Sequence, residues 1–137
     1  MPNTHALLDA ELCGTPVVTA AGRAEVEFVA TERMRADATG LVHGGFVFGL
    51  ADHAAMLAID APTVVLGAAQ SRFLAPVVVG DRVRAIAHLR DVVGKKHLVD
   101  VEVRRGEDLV LQASMTCFVP AQHVLAGRAT EGDRARR

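Results

Sequence analysis

Apolar and polar residues alternate with a period of two over much of this chain, and the alternation is interrupted once by a long, almost unbroken apolar run. Ala24, Val26, Phe28 and Ala30 alternate with Arg23, Glu25, Glu27 and Val29, the period of a half-buried strand. That strand-like stretch extends from Pro16 to Thr31 with a bend at Ala21-Gly22. Over 82–92, Val83, Ala85, Ala87 and Leu89 face one way while Arg82, Arg84, His88 and Arg90 face the other. Gly94 starts a hairpin turn, and in the returning strand His97, Val99, Val101 and Val103 oppose Asp100, Glu102 and Arg104. Gly106-Glu107-Asp108 predicts another turn, after which Leu109, Leu111, Ala113, Met115, Cys117 and Val119 form the inner face of a last strand. Residues 63–75 carry few charges and several small residues (Gly67, Ala68, Ala69, Ser71), which predicts a central or interface strand ended by Pro76 and Gly80-Asp81.

The apolar run covers 44–59 and predicts one long helix, with Pro62 marking its end. Nearly every face of it is hydrophobic, and such a helix is buried rather than laid on a surface. A shorter helix is expected over 4–12, with Thr4 as N-cap and Gly14 as its stop. Residues 31–42 form a polar connection into the long helix. The economical α+β arrangement is an antiparallel sheet wrapped around one long central helix, because that covers the helix on most sides.

A carboxylate interrupts the apolar helix. Asp52 lies two turns inside it, and a buried aspartate is costly unless paired, hydrogen-bonded or employed in chemistry. At the start of the same helix, His43-Gly44-Gly45 leaves first-turn N–H groups unobstructed by side chains. The helix dipole adds partial positive charge there, so the position suits an anion or a developing oxyanion. The glycines alone are equally satisfied by a tight turn into the helix, and Asp52 by backbone amides or a serine of a neighbouring strand. Gly44 and Asp52 are separated by roughly 12 Å of axial rise within one helix. If both serve one reacting group, Asp52 must come from a second copy of the chain, which predicts a homodimer with two composite sites.

The chain has 137 residues, 50% hydrophobic and 23% charged, which fits a single globular domain. That domain is expected over 1–125, followed by a mobile charged tail over 126–137. A net charge of −1 gives no global attraction to nucleic acid or to an anionic membrane. Asp52 and Asp60 interrupt the longest apolar run, so no membrane span is expected. The start Met1-Pro2-Asn3-Thr4-His5 has no signal-peptide pattern, making the cytoplasm the expected location. Cys13 and Cys117 lack metal or redox spacing, and Cys117 reads as a buried small hydrophobe. His5, His43, His53, His88, His97 and His123 form no HxxxH pair, so neither a zinc site nor a cofactor is expected.

Leu41-Val42-His43-Gly44-Gly45, Leu50-Ala51-Asp52 and Arg72-Phe73-Leu74-Ala75-Pro76…Gly80-Asp81 together resemble the hotdog-fold acyl-CoA thioesterases of the phenylacetic-acid-pathway type. The resemblance covers roughly residues 14–120. It implies a hotdog fold, hydrolysis of an acyl-CoA or similar thioester, and assembly as a homodimer or a dimer of dimers (a homotetramer). It further implies that the Gly44 N–H donates to the thioester carbonyl and that Asp52 of the other subunit is general base or nucleophile. His43 would orient the carbonyl or a loop near it. Substrate contacts are expected from Gly45, Phe46, Met56 and Phe73, with Arg72, Lys95 and Lys96 as candidates for the phosphates of coenzyme A; Lys95-Lys96 also reads as an ordinary solvated turn.

The sequence departs from the family at two points. Asp37 stands where relatives often carry an asparagine, and a second carboxylate there would repel developing negative charge unless it points away or is protonated. His53 directly follows Asp52, and a step of about 100° per residue turns it elsewhere on the helix. A second reading is a non-catalytic acyl-CoA sensor, because residues 71–110 also resemble the ligand-binding hotdog domain of a bacterial lipid-synthesis repressor that binds malonyl-CoA. The intact His43-Gly44-Gly45…Asp52 set and the lack of a helix-turn-helix segment in the sequence count against it. A hotdog dehydratase fits less well, since those pair a catalytic histidine with a different acidic context.

Overall fold

The computed structural model describes residues 2–127. Its elements are α1 (Ala10–Cys13), β1 (Thr15–Ala20), β2 (Arg23–Val29), a 3-10 turn at Glu32–Met34, α2 (Gly44–Ile59), β3 (Val65–Phe73), β4 (Arg82–Val93), β5 (Lys96–Arg105) and β6 (Asp108–Phe118). The six strands form one sheet in the order β1-β2-β4-β5-β6-β3, and every neighbouring pair is antiparallel. The sheet curls around α2, as the apolar run demanded.

Alanines make that wrapping possible. Ala51, Ala54, Ala55 and Ala58 let α2 approach Ala24 of β2 and Ala85 and Ala87 of β4 closely, while Leu50, Leu57, Val26, Val83, Val99, Val101 and Val103 fill the space between. His43 precedes the helix in an extended conformation, and Asp60 closes it in the left-handed region at φ 54°, its N–H bonded to the Met56 carbonyl at 2.8 Å. Asp60 ends the helix before Pro62 can. Gly14 is a close approach in the core: its φ is 94°, and a side chain there would collide with Leu50 and Val26. Gly14→Ala is expected to lower the unfolding free energy by about 1–3 kcal/mol, the scale of overpacking, with urea denaturation as the check.

Four expectations change. The helix expected over 4–12 is reduced to Ala10–Cys13, because Asp9 rather than Thr4 caps it, accepting from the Leu12 N–H at 3.0 Å. The last strand does not alternate throughout: a bulge pairs Val103 with Leu111 and Arg104 with Leu109, so both Val110 and Leu111 turn inward. The strand over 63–75 shortens to Val65–Phe73 and is not central: it is an edge of the sheet, with one side paired to β6 and the other unpaired among the described residues, which leaves the interface alternative open. Glu25 was assigned to the polar face yet is buried, because Arg23 and Arg84 fold over it at 2.6 and 3.0 Å.

Of the tail expected over 126–137, residues 128–137 lie outside the described residues. No helix among the described residues is long and apolar enough to cross a membrane.

Candidate active site

The first turn of α2 presents free donors. Among the described residues, neither the Gly44 nor the Gly45 N–H finds a backbone acceptor outside the helix, whereas the Phe46 N–H donates to the His43 carbonyl at 3.1 Å. The His43 backbone is tied to the Met34 carbonyl at 2.9 Å, which fixes where the helix begins. The His43 ring folds back over Gly45, so that a Cβ there would sit 3.1 Å from the ring. It also meets Phe46 edge-on, with centroids 6.2 Å apart. Gly44 faces the Phe73 ring across a cleft of about 280 Å³ lined by Val42, Val47, Leu74, Val77 and Val110. An apolar cleft opening beside unpaired N–H donors suits a ligand with an apolar chain and a polar carbonyl.

Two turns along, Asp52 has a buried Oδ1 without a hydrogen-bond partner among the described residues. Burial pushes its carboxyl above the ordinary aspartate range, opposed by the charges of His5 and His53. A carboxylate left so poorly solvated is a strong acceptor for a proton or for an attacking water. Asp52 belongs to a stripe with Gly45, Phe48, Gly49 and Ile59, at helical spacing, that the chain's own sheet leaves accessible. The sheet shows the same gap: Ala69 shares a face with buried Met115 by register, yet Ala69 is exposed.

The expected residues other than Asp52 fall in four places. Gly44, Gly45, His43, Phe46 and Phe73 gather around the start of α2. Met56 is fully buried in the core and is not part of that cleft. Arg72 lies on the outer face of β3, paired with Gln112 of β6. Lys95 is at the β4–β5 turn, and Lys96 is already within β5, opposite Phe118 of β6 and through it Val65 of β3. Val65 and Phe73 are about 26 Å apart along an extended strand, so the lysines sit at the opposite end of the sheet from Gly44 of the same chain. Asp52 lies toward the lysine end, about 12 Å further along α2 than Gly44, which sits against Phe73; burial, and after it the Asp52 charge, raise the thiol of Cys117, which pairs with Leu66. Burial is the larger cause of that rise, which takes the thiol to about 12 and makes it an inert core group.

Both departures from the family resolve structurally. Asp37 turns away into its own loop, accepting from the Thr39 N–H at 2.9 Å and the Thr39 hydroxyl at 2.6 Å; these bonds hold it ionised below the ordinary range. His53 is buried and directs Nδ1 at the Cys13 carbonyl, 2.9 Å away.

Sequence reasoning missed two residues here. Ser71 has a buried hydroxyl with no partner among the described residues and, by its pairing with Ala113, faces the helix side of the sheet; a polar residue among the alanines of this strand was its only signal. His5, electrostatically coupled to Asp52, had none.

The family model described as thioesterase superfamily matches residues 39–112, a span that holds the start of α2, Asp52 and β3 through β5. Among curated proteins, the methylthioribose-1-phosphate isomerase of Aquifex aeolicus is 49% identical over 109 residues, 80% of this chain but 24% of that protein. The transcription factor FapR of Caldanaerobacter subterraneus subsp. tengcongensis is 32% identical over 124 residues, 90% of this chain and 62% of that one. The chain therefore spans less than two thirds of the length of either relative.

Among solved structures, the uncharacterized protein PH1136 from Pyrococcus horikoshii matches with a TM-score of 0.89 at 48% identity, covering 91% of this chain and 98% of that one. A mutant of the phenylacetic acid degradation protein PaaI from Thermus thermophilus matches with a TM-score of 0.72 at 27% identity, covering 80% and 95%. The hotdog architecture expected from the sequence is the one these neighbours share.

Proposed function

The chain belongs to the thioesterase superfamily, and from that membership we propose that it is an acyl-CoA thioesterase acting in the cytoplasm as a homodimer with two composite sites. The observation that carries this reading is the orphaned, poorly solvated Asp52 carboxylate in an otherwise apolar helix whose first turn offers free N–H donors. No structural partner in the described chain accounts for that carboxylate, and a proton-transfer role does.

The dimer supplies what one chain lacks. The unpaired edge of β3 invites a second copy, and antiparallel pairing of two β3 edges around a two-fold axis sets the Val65 end of one beside the Phe73 end of the other. Asp52 of one subunit then approaches Gly44 of the other, and Lys95-Lys96 approach the mouth of the partner's cleft, where the phosphates of coenzyme A would lie. The exposed Ala69 and the accessible Gly49 of α2 are small enough for such close packing. Two such dimers can assemble further through their outer faces.

In the proposed reaction the thioester carbonyl oxygen accepts from the Gly44 N–H, with the helix dipole favouring its developing charge. His43, over Gly45, orients that carbonyl. Gly45, having no Cβ, lets the His43 ring lie that close to the helix start beside the bound thioester, while Phe46 and Phe73 supply apolar walls. Asp52 takes a proton from water as the water oxygen bonds to the carbonyl carbon; the tetrahedral intermediate expels the thiolate, which receives the proton. The same carboxylate can instead attack the carbon directly and form an anhydride that water then opens. Label found on Asp52 after a single turnover in H2 18O identifies the anhydride route with water attacking the Asp52 carboxyl carbon, since direct hydrolysis places the label in the product acid alone. The Ser71 hydroxyl, also without a partner, is suited to hold the attacking water.

Free-thiol release from short, medium, long, aromatic and malonyl acyl-CoAs tests the reading. Turnover of at least one is expected. Saturable binding without turnover of any would instead support a sensor, the reading that similarity to FapR favours.

A further inference from the structure

Over most of the outer face of the sheet, carboxylates and guanidinium groups pair with one another. Arg82 and Arg84 hold Glu27, Arg84 also holds Glu25, Arg90 holds Asp100, and Arg104 holds Glu102. The face changes character at the β4–β5 turn. There the register lines up Val93, Lys96, Phe118 and Val65 in one row across β4, β5, β6 and β3. Phe118 shares this outer face with Ser114 and Thr116, which alternate with the buried Met115 and Cys117. The Phe118 ring is 37% exposed and its row neighbour Val93 is 61% exposed. Gly67, the extra residue of a bulge in β3, lies against that ring, and a Cβ there would collide with it. The backbone thus supports the ring from one side without a side chain between them.

Two cations flank this apolar corner. Lys96 is the direct cross-strand neighbour of both Val93 and Phe118. Lys95 precedes it in the turn, where its carbonyl accepts from the Val119 N–H at 2.9 Å. Both lysines are exposed. Among the described residues, every arginine except Arg72 has a carboxylate within ion-pair distance, and neither lysine has one. The next row of the face holds one carboxylate, Asp91, whose Oδ1 accepts the Val92 N–H at 2.8 Å. An open aromatic ring beside two unpaired ammonium groups is the chemistry that holds a nucleotide, the base stacked on the ring and the phosphates on the cations.

We propose that Phe118 and Val93 form the platform for the adenine base of coenzyme A, with Lys95 and Lys96 on its phosphates, so that coenzyme A thioesters are preferred to thioesters of bare pantetheine. The assignment rests on the hydrolase reading of the composite site and adds to it the recognition of the thiol carrier. Phe118 pairs with Val65, the end of β3 that the proposed dimer sets beside the partner's Phe73 end. One subunit's platform therefore borders the other's acyl cleft. A base held there is remote from the reacting carbonyl, so its binding is the same in ground and transition states and acts on KM rather than kcat.

Titration calorimetry with coenzyme A itself tests the platform in the full-length protein without any turnover. Phe118→Leu is expected to weaken binding about tenfold, the scale of one base–aromatic stack, and Phe118→Tyr to keep it close to wild type. The double variant Lys95→Gln/Lys96→Gln is expected to lose the salt dependence of binding. In hydrolysis, the acyl group best turned over is compared on coenzyme A and on pantetheine. Phe118→Leu should raise KM for the first by the same factor at unchanged kcat and leave the second unaffected. Equal coenzyme A binding by wild type and folded Phe118→Leu overturns the proposal, as does a salt dependence that survives loss of both lysines. ADP bound as tightly as coenzyme A overturns it too, by making the corner a site for a free nucleotide. Phe118-dependent coenzyme A binding in a protein that hydrolyses no thioester would leave the platform standing and remove the hydrolase reading instead.

Discussion

Asp52→Asn is expected to fold, to bind acyl-CoA and to lose turnover by roughly 10²–10⁴-fold, the range for deleting a positioned acid–base group. The amide keeps the shape of the carboxylate but neither takes a proton nor attacks a carbonyl. Because the loss falls on the transition state, kcat drops while substrate affinity stays close to that of the wild type. Single-turnover thiol release alongside equilibrium binding separates the two quantities. Hydrolysis at the wild-type rate in a folded Asp52→Asn protein would sink the assignment of the base.

The same substitution has a stability signature. Burial raises the Asp52 carboxyl above its ordinary value, so between about pH 3.9, the ordinary value for an unfolded aspartate, and the raised native value the folded state holds the extra proton. Stability then falls as pH rises through that window, and above it the folded protein bears the cost of an ionised group without partners. An asparagine does not titrate. Asp52→Asn should accordingly have the higher Tm at neutral pH, and the two proteins should converge as pH falls below the window. A residue kept for activity at the expense of stability behaves in this way; a carboxylate kept for structure would show the opposite order.

What the sequence made legible follows from the range over which each signal acts. Ala24, Val26 and Phe28 on β2, Val83, Ala85 and Ala87 on β4, and Val99, Val101 and Val103 on β5 announced their buried faces because a strand's period is local. The bounds of α2 were equally local, an apolar run opened by two glycines and read as ending before Pro62, although it is Asp60, turning left-handed, that closes the helix. The bulge that turns Val110 and Leu111 inward together was invisible, since it depends on the register of β6 against β5 rather than on either strand alone. Glu25 was misassigned for a similar reason: its burial comes from Arg84 on β4, 59 residues away. Thr4 looked like a helix cap because a threonine before an apolar stretch commonly is one. Only the fold reveals that the chain bends there and lays Thr4 and His5 along α2. Met56 was read as a pocket wall from its type, but the helix turns it into the core. The pairing of Gly44 with Asp52 was legible as a constraint, because the length of one helix forbids them to meet within a chain.

That constraint yields the second large effect. Gly44→Pro deletes the proposed oxyanion donor with little harm to the fold. Gly44 is the first residue of α2, where proline is well tolerated. His43 before it has ψ 129°, the extended conformation a following proline requires. A Cβ there lies 3.4 Å from the Phe73 ring, an ordinary contact. Alone, this variant should lose roughly 10²–10³-fold in kcat, the scale for removing one oxyanion donor. Alone, Asp52→Asn is inactive as well. Unfolded together and refolded as a mixture, they should recover about a quarter of wild-type activity, because half the dimers are mixed and each mixed dimer has one site with both groups intact. Activity then appears where neither parent has any. If Gly44 and Asp52 instead served one site within a single chain, every site in the mixture would lack one of them, and the refolded mixture would stay as inactive as its parents while sedimenting as a dimer.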